Sequence, residues 1–136
     1  MNRREFQKLA LERLADTQAL LQAQRYTGGY YLAGYAVECA LKVRIARQTK
    51  QHDFPPKAAD KNWIHSITGL LDRAGLAAKL SAEAAESQTF GKNWAIVKDW
   101  TEEVRYQSRR RREAEELLAA VTDSQDGVLR WLKKYW

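Results

Sequence analysis

The chain has one cysteine, two prolines, two histidines and one methionine in 136 residues. A single thiol, Cys39, can staple nothing within the chain. Two histidines, His52 and His65, are too few for a metal site on their own, so no metal or other cofactor is expected. No apolar run reaches the length of a bilayer span, because Glu38 and Lys42 interrupt the only candidate. The opening Met-Asn-Arg-Arg-Glu-Phe-Gln-Lys carries charge with no apolar stretch after it, so no secretion signal is expected. No alternating run of β-branched residues is present, which excludes a sheet protein. Thr27-Gly28-Gly29 lacks the Lys-Ser/Thr of a phosphate loop and reads as a turn between helices. These absences fit a cytoplasmic protein that does not enter the membrane.

What remains is rich in helix-forming and aromatic residues. The chain is 45% hydrophobic with five Trp, too apolar for disorder and long enough to bury one core, so a single domain over 1–136 is expected. Asn2, with Glu5 three residues later, predicts a capped helix start. Phe6, Leu9, Ala10, Leu14, Thr17, Leu20 and Leu21 then recur at helical spacing. A second helix follows the Arg25–Gly29 break and runs to about Thr49, with Arg44, Arg47 and Lys50 on its last turns, where positive charge suits the helix dipole. Residues 51–61, with Pro55-Pro56, read as a loop.

A short helix is expected over about 63–74, with Ile64, Ile67, Leu70 and Leu71 inward. Gly75 stands at its end and Leu76 is the apolar contact beyond. Ser81 is expected to cap another short helix, and Phe90, Trp94, Val97 and Thr101 mark one ending near Trp100. Ala114, Leu118, Val121, Gln125, Val128, Leu132 and Tyr135 alternate steps of four and three, which predicts one long last helix continuing through Thr122-Asp123-Ser124. The pattern predicts an all-α, up-and-down bundle of about five helices.

The second helix is unusual. From Tyr30 to Lys42 it is apolar or small almost all round, which requires cover on most sides and places it at the centre. Tyr31, Tyr35, Glu38 and Lys42 form one semi-polar stripe at steps of four, three and four. A buried Glu38 needs a cation, either Lys42 one turn on or Arg105 across the bundle. A structural polar network orienting the helices explains this stripe more simply than catalysis does. Cys39 reads as a packed small apolar residue.

The net charge of +6 favours an acidic partner. Residues 1–50 hold nine Lys/Arg against four Asp/Glu, whereas residues 101–136 hold eight against seven. Arg105-Tyr106-Gln107-Ser108-Arg109-Arg110-Arg111-Arg112 is the densest run. With Ser108 as the expected helix cap, its arginines occupy a first turn, the wrong end for positive charge. Pairs such as Arg109–Glu113 and Arg111–Glu115 would make this a solvated face. Guanidinium forks also suit phosphate, which makes Arg105, Tyr106, Arg109, Arg110, Arg111 and Arg112 candidates for binding RNA or nucleotide.

Tyr31-Leu32-Ala33-Gly34-Tyr35-Ala36-Val37-Glu38-Cys39-Ala40-Leu41-Lys42 resembles the second-helix signature of bacterial HEPN-domain proteins. His65 before Leu70-Leu71, the Ala74-Gly75-Leu76 step, and Trp100 with Arg105-Tyr106 before a last helix support the likeness over most of the chain. The resemblance implies a helical bundle that commonly forms homodimers, in a toxin–antitoxin or defence setting. Many members are metal-independent ribonucleases, while others bind RNA or nucleotide, or act as non-catalytic partners of a minimal nucleotidyltransferase. The nuclease pattern is Arg, four to six residues, then His. From Arg105 the histidine would fall at 110, 111 or 112, and all three are arginine, which is not a base at neutral pH. The expectation is therefore binding without that motif. Arg105 and His65 are the candidates for any remaining catalysis.

Overall fold

Asn2 begins the first helix as its spacing to Glu5 predicts. Its side chain accepts from the Glu5 amide at 2.9 Å, and the Glu5 carboxylate accepts from the Asn2 amide at 2.7 Å. The computed structural model describes residues 1–48 and 66–136. There the order is α1 (Arg3–Gln22), α2 (Tyr26–Arg47), α3 (Ile67–Arg73), α4 (Ala77–Glu86), α5 (Gln88–Lys98), a 3-10 turn (Glu102–Tyr106), α6 (Arg111–Thr122) and α7 (Val128–Lys133). The protein is all-α, with no strand among the described residues. Replacing Asn2 by Ala removes a side-chain cap of a 20-residue helix and is expected to cost about 1 kcal/mol, read as a lowered denaturant midpoint at unchanged slope.

The α1–α2 connection departs from the expected Gly28-Gly29 turn. The chain reverses at Ala23-Gln24-Arg25, where the Arg25 amide donates to the Leu20 carbonyl at 2.8 Å and the Gln24 amide to Leu21 at 3.0 Å. This is the bond pattern of a Schellman cap, with Gln24 at φ 60° in the place glycine usually takes. The two glycines lie inside α2 instead. Gly29 faces α1, where an added Cβ would lie 2.1 Å from the Leu21 Cδ1, so close packing of the helices explains it. The short reversal sets α1 and α2 side by side in opposite directions, the most extensive packing in the fold.

α2 is central, as its composition requires. It packs against α1, α3, α6, α7 and the 3-10 turn. Ala33, Ala36, Val37, Cys39, Ala40, Leu41, Val43 and Ala46 are buried along it. Gly75, at φ 70°, ends α3, and Leu76 behind it is fully buried, both as the sequence predicts. The Trp63–His65 part of the expected third helix, the loop 51–61 and Lys50 lie outside the described residues.

Three boundaries differ from expectation. Ser81 is an exposed residue within α4 and caps nothing. The cap is Ser87, whose hydroxyl accepts from the Phe90 amide at 3.0 Å and donates to Asp126 Oδ1 at 2.8 Å. Ser108 does not cap the helix after the arginines, which begins beyond Arg110 with Glu113 reaching back to the Arg110 amide at 3.2 Å. The long last helix is broken. Asp123 Oδ2 accepts from the Asp126 amide at 2.6 Å, the Gly127 amide donates to the Asp123 carbonyl at 3.0 Å, and a Cβ on Gly127 would meet that carbonyl at 2.4 Å. Val121 and Val128 are buried on either side, so the apolar spacing survives the turn while Gln125 stays exposed. These splits give seven α-helices among the described residues, against about five expected.

Candidate functional site

Along the α2 stripe Glu38 and Lys42 are buried, while Tyr31 and Tyr35 are half-buried. Lys42 Nζ donates to Glu38 Oε1 at 3.0 Å, with the side chains 5% and 1% exposed. Lys42 is thus a partner for Glu38, as expected. Arg105 lies in the 3-10 turn, and its side chain is outside the described residues. Tyr31 stacks on Tyr35 with ring centres 6.1 Å apart and lies 5.9 Å from the Trp100 ring. Burial, with Cys39 and Glu38 nearby, pushes the Tyr35 hydroxyl up to about 12. Burial beside Glu38 likewise pushes the Cys39 thiol up to about 12. Both stay protonated at neutral pH, so neither supplies a thiolate nucleophile or a phenolate base. None of Tyr31, Tyr35, Glu38 and Lys42 lines the clefts formed by Leu20 and Gly28 with Arg109, by Leu14 with Val121 and Lys133, or by Ser66 with Thr101 and Glu103.

The arginine run divides into two kinds of residue. Arg111 and Arg112 are exposed and pair with Glu115 at 2.7 Å and Glu116 at 2.9 Å, each one helical turn on. This is the solvated-face arrangement. Exposed pairs of this kind are worth little and leave little free charge. Arg109 is held on several sides. Its amide donates to Thr27 Oγ1 at 2.9 Å, and its guanidinium bonds Glu113 at 2.9 Å and Gln107 at 2.8 Å. The guanidinium also lies 4.5 Å over the Tyr30 ring, a cation–π contact. The Arg109 bond and the Arg110 amide hold the Glu113 carboxyl below its ordinary range.

Arg109 also lines a cleft of about 550 Å³ with Leu20, Gln24, Arg25, Tyr26, Thr27 and Gly28. The floor is the first turn of α2, whose cap residue Arg25 offers no side-chain acceptor. The Tyr26, Thr27 and Gly28 amides have no intrahelical partner and make no bond with the described residues, so they add partial positive charge to two guanidinium groups. Chemically, this cleft suits an anion with an adjoining ring. Tyr106 and Arg110, the other candidates in the run, are exposed and do not line this cleft. His52 and His65 lie outside the described residues.

Sequence reasoning brought Arg109 into view but missed Arg25, Tyr26 and Thr27, because it placed a turn where α2 begins. Tyr26, Tyr30, Trp131, Tyr135 and Trp136 form no fully exposed aromatic patch for a dimer. Trp131 and Tyr30 are instead buried. Trp131 packs 5.4 Å from Phe90 and 5.3 Å from Tyr135, while Tyr26, Tyr135 and Trp136 are partly covered. Among the described residues no group of three or more His, Cys, Asp or Glu could hold a metal ion, and no helix is long and apolar enough to cross a membrane. Compared with known proteins, the chain matches no family model, no curated protein and no solved structure.

Proposed function

We propose that this protein is a HEPN-like domain that binds RNA or nucleotide, in a toxin–antitoxin or defence setting, without the Arg-x4-6-His cleavage motif. The observation that carries the reading is the cleft at the start of α2, where Arg109 and Arg25 flank an uncapped helix end beside Tyr26. A phosphate there meets two guanidinium groups and the free amides of the first turn, and a base or sugar has the Tyr26 ring within reach. Homodimer formation belongs to this reading through the family likeness alone, since Tyr30 and Trp131 are used inside each copy.

The test compares two pairs of substitutions for binding to a fluorescent single-stranded RNA across a salt series. Arg25→Gln with Arg109→Gln is expected to weaken binding and flatten the log–log salt slope by about 0.7, the share of one single-strand phosphate contact, because Arg25 makes no ion pair with the described residues whereas Arg109 already shares its charge with Glu113. Arg111→Gln with Arg112→Gln removes the same charge but is expected to change the slope far less, since Glu115 and Glu116 already neutralise these side chains. Equal effects from the two pairs would remove the cleft from the reading. RNA incubated with the protein and EDTA is expected to stay intact; robust metal-independent cutting would replace the binding role with a ribonuclease.

A further inference from the structure

The charge of the arginine run is largely offset by glutamates, so the excess behind the net charge of +6 must reside elsewhere. It gathers at the other end of α2. Arg3 of α1 donates to the main-chain oxygen of Trp136 at 2.7 Å. From the last turn of α2, Arg47 and Arg44 donate to the Tyr135 carbonyl at 3.1 and 3.4 Å. Lys79 of α4 sits 5.6 Å from the centre of the Tyr135 ring, and Lys133 of α7 sits 5.7 Å from that of Trp136. Five cations from four helices thus converge on two consecutive residues.

Four of the five have neutral partners. Arg44 and Arg47 are held by the Tyr135 carbonyl and Lys79 and Lys133 by ring faces, while Arg3 bonds a main-chain oxygen of Trp136; among the described residues no Asp or Glu side chain pairs with any of the five. Neutral partners fix these four cations in place without cancelling their charge. The result is an ordered basic cluster in which Arg47, Lys79 and Lys133 remain exposed to solvent. Like charges gathered at one end of a bundle repel one another, and a polyanion relieves that repulsion while releasing its own counterions.

We propose that the Tyr135–Trp136 end of the bundle is a second phosphate-backbone contact for RNA, separate from the Arg25–Arg109 cleft. The identity of the polyanion rests on the RNA-binding reading above; the charge cluster does not. A lipid surface fits less well. Tyr135 and Trp136 are partly covered, their rings face lysines, and the large apolar side chain exposed near Arg3 in the chain is Met1. Insertion into a bilayer would need more apolar surface than that. Thr27 and Arg47 are twenty residues apart on one helix, so cleft and cluster are separated by roughly 30 Å at 1.5 Å per residue. An RNA long enough to touch both gains affinity from the second contact without any change at the first.

The experiment measures binding of a 20-nucleotide single-stranded RNA across a salt series. The triple substitution Arg47→Gln, Lys79→Gln, Lys133→Gln is expected to flatten the slope by about 2 and to weaken binding at least roughly tenfold near 0.1 M salt. Lys8→Gln, Lys92→Gln and Lys98→Gln together remove the same charge elsewhere and are expected to have a small effect. Equal weakening by the two triples would overturn the proposal in favour of a net-charge effect. If the first triple folds poorly, single Lys79→Gln and Lys133→Gln each report a slope change of about 0.7, and no change in either overturns it. Weaker binding with Arg25→Gln and Arg109→Gln but none with the triple defeats the second contact alone. A parent protein that binds no RNA but binds phosphatidylserine vesicles, with the triple abolishing that binding, defeats both and assigns the cluster to a membrane surface.

Discussion

Glu38→Ala is expected to be the most damaging single change in this protein, lowering stability by about 3–5 kcal/mol. The truncation leaves Lys42 buried, with the carboxylate oxygen that sat 3.0 Å from its Nζ removed. The cost arises because the buried ammonium group loses a carboxylate that offsets its desolvation. Against the 5–15 kcal/mol typical of a whole domain, a loss of this size would expose much of the population to unfolding at about 37 °C. Glu12→Ala is the matched control. Its side chain is 47% exposed and lies 3.8 Å from Lys8, so less than about 1 kcal/mol is expected. Urea denaturation of both variants at low and high salt separates the cases, because salt screens the exposed pair but not the buried one. A Glu38→Ala midpoint close to that of the parent would show that Lys42 does not depend on this carboxylate.

Gly34→Ala is expected to destabilise by about 3 kcal/mol, even though alanine is the better helix former by about 1 kcal/mol. An added Cβ would stand 2.2 to 2.3 Å from three atoms of the Trp100 ring. Trp100 is wholly buried and also meets Tyr31, so it cannot swing away as a surface side chain would. Its indole nitrogen finds no acceptor among the described residues, so its place is set by shape rather than by a hydrogen bond. Reducing the ring should then restore room: Gly34→Ala combined with Trp100→Leu is expected to be less damaging than the sum of the two changes. A double-mutant cycle measures this coupling directly. Strict additivity, or a Gly34→Ala protein more stable than its parent, would mean that the indole is not pressed onto the helix.

The parts of this fold legible in the sequence were those set within a few residues. Asn2 and Glu5 cap α1 through neighbouring atoms, Gly75 and Leu76 end α3 in the same way, and Glu38 and Lys42 meet because one helical turn separates them. The choice of Ser87 over Ser81 was not local. Both residues can cap a helix, but Gly75 and Leu76 let α4 begin at Ala77, and Asp126 stands opposite Ser87. Gly28-Gly29 looked like a turn because glycine usually signals one, whereas Gly29 answers the approach of Leu21. The site was partly legible for the same reason. The arginine run is plain in the sequence, and its neutralisation by Glu113, Glu115 and Glu116 follows from i,i+4 spacing. The basic cluster around Tyr135 and Trp136 could not be read in advance, because Arg3, Arg47, Lys79 and Lys133 meet only after four helices have packed.

Asp126 has one more effect. Its carboxylate takes the hydroxyl of the residue that caps α5, and its carbonyl accepts from Asn93 Nδ2 at 3.0 Å, further along that helix. The beginning of α5 and the bend between α6 and α7 are therefore latched by one residue. Fraying at either place breaks bonds at the other, so the two should open together as a single cooperative unit, with amides on both sides exchanging at a shared free energy. Helix starts and interhelical bends are ordinarily the loosest parts of a bundle. In this protein, two of them protect each other.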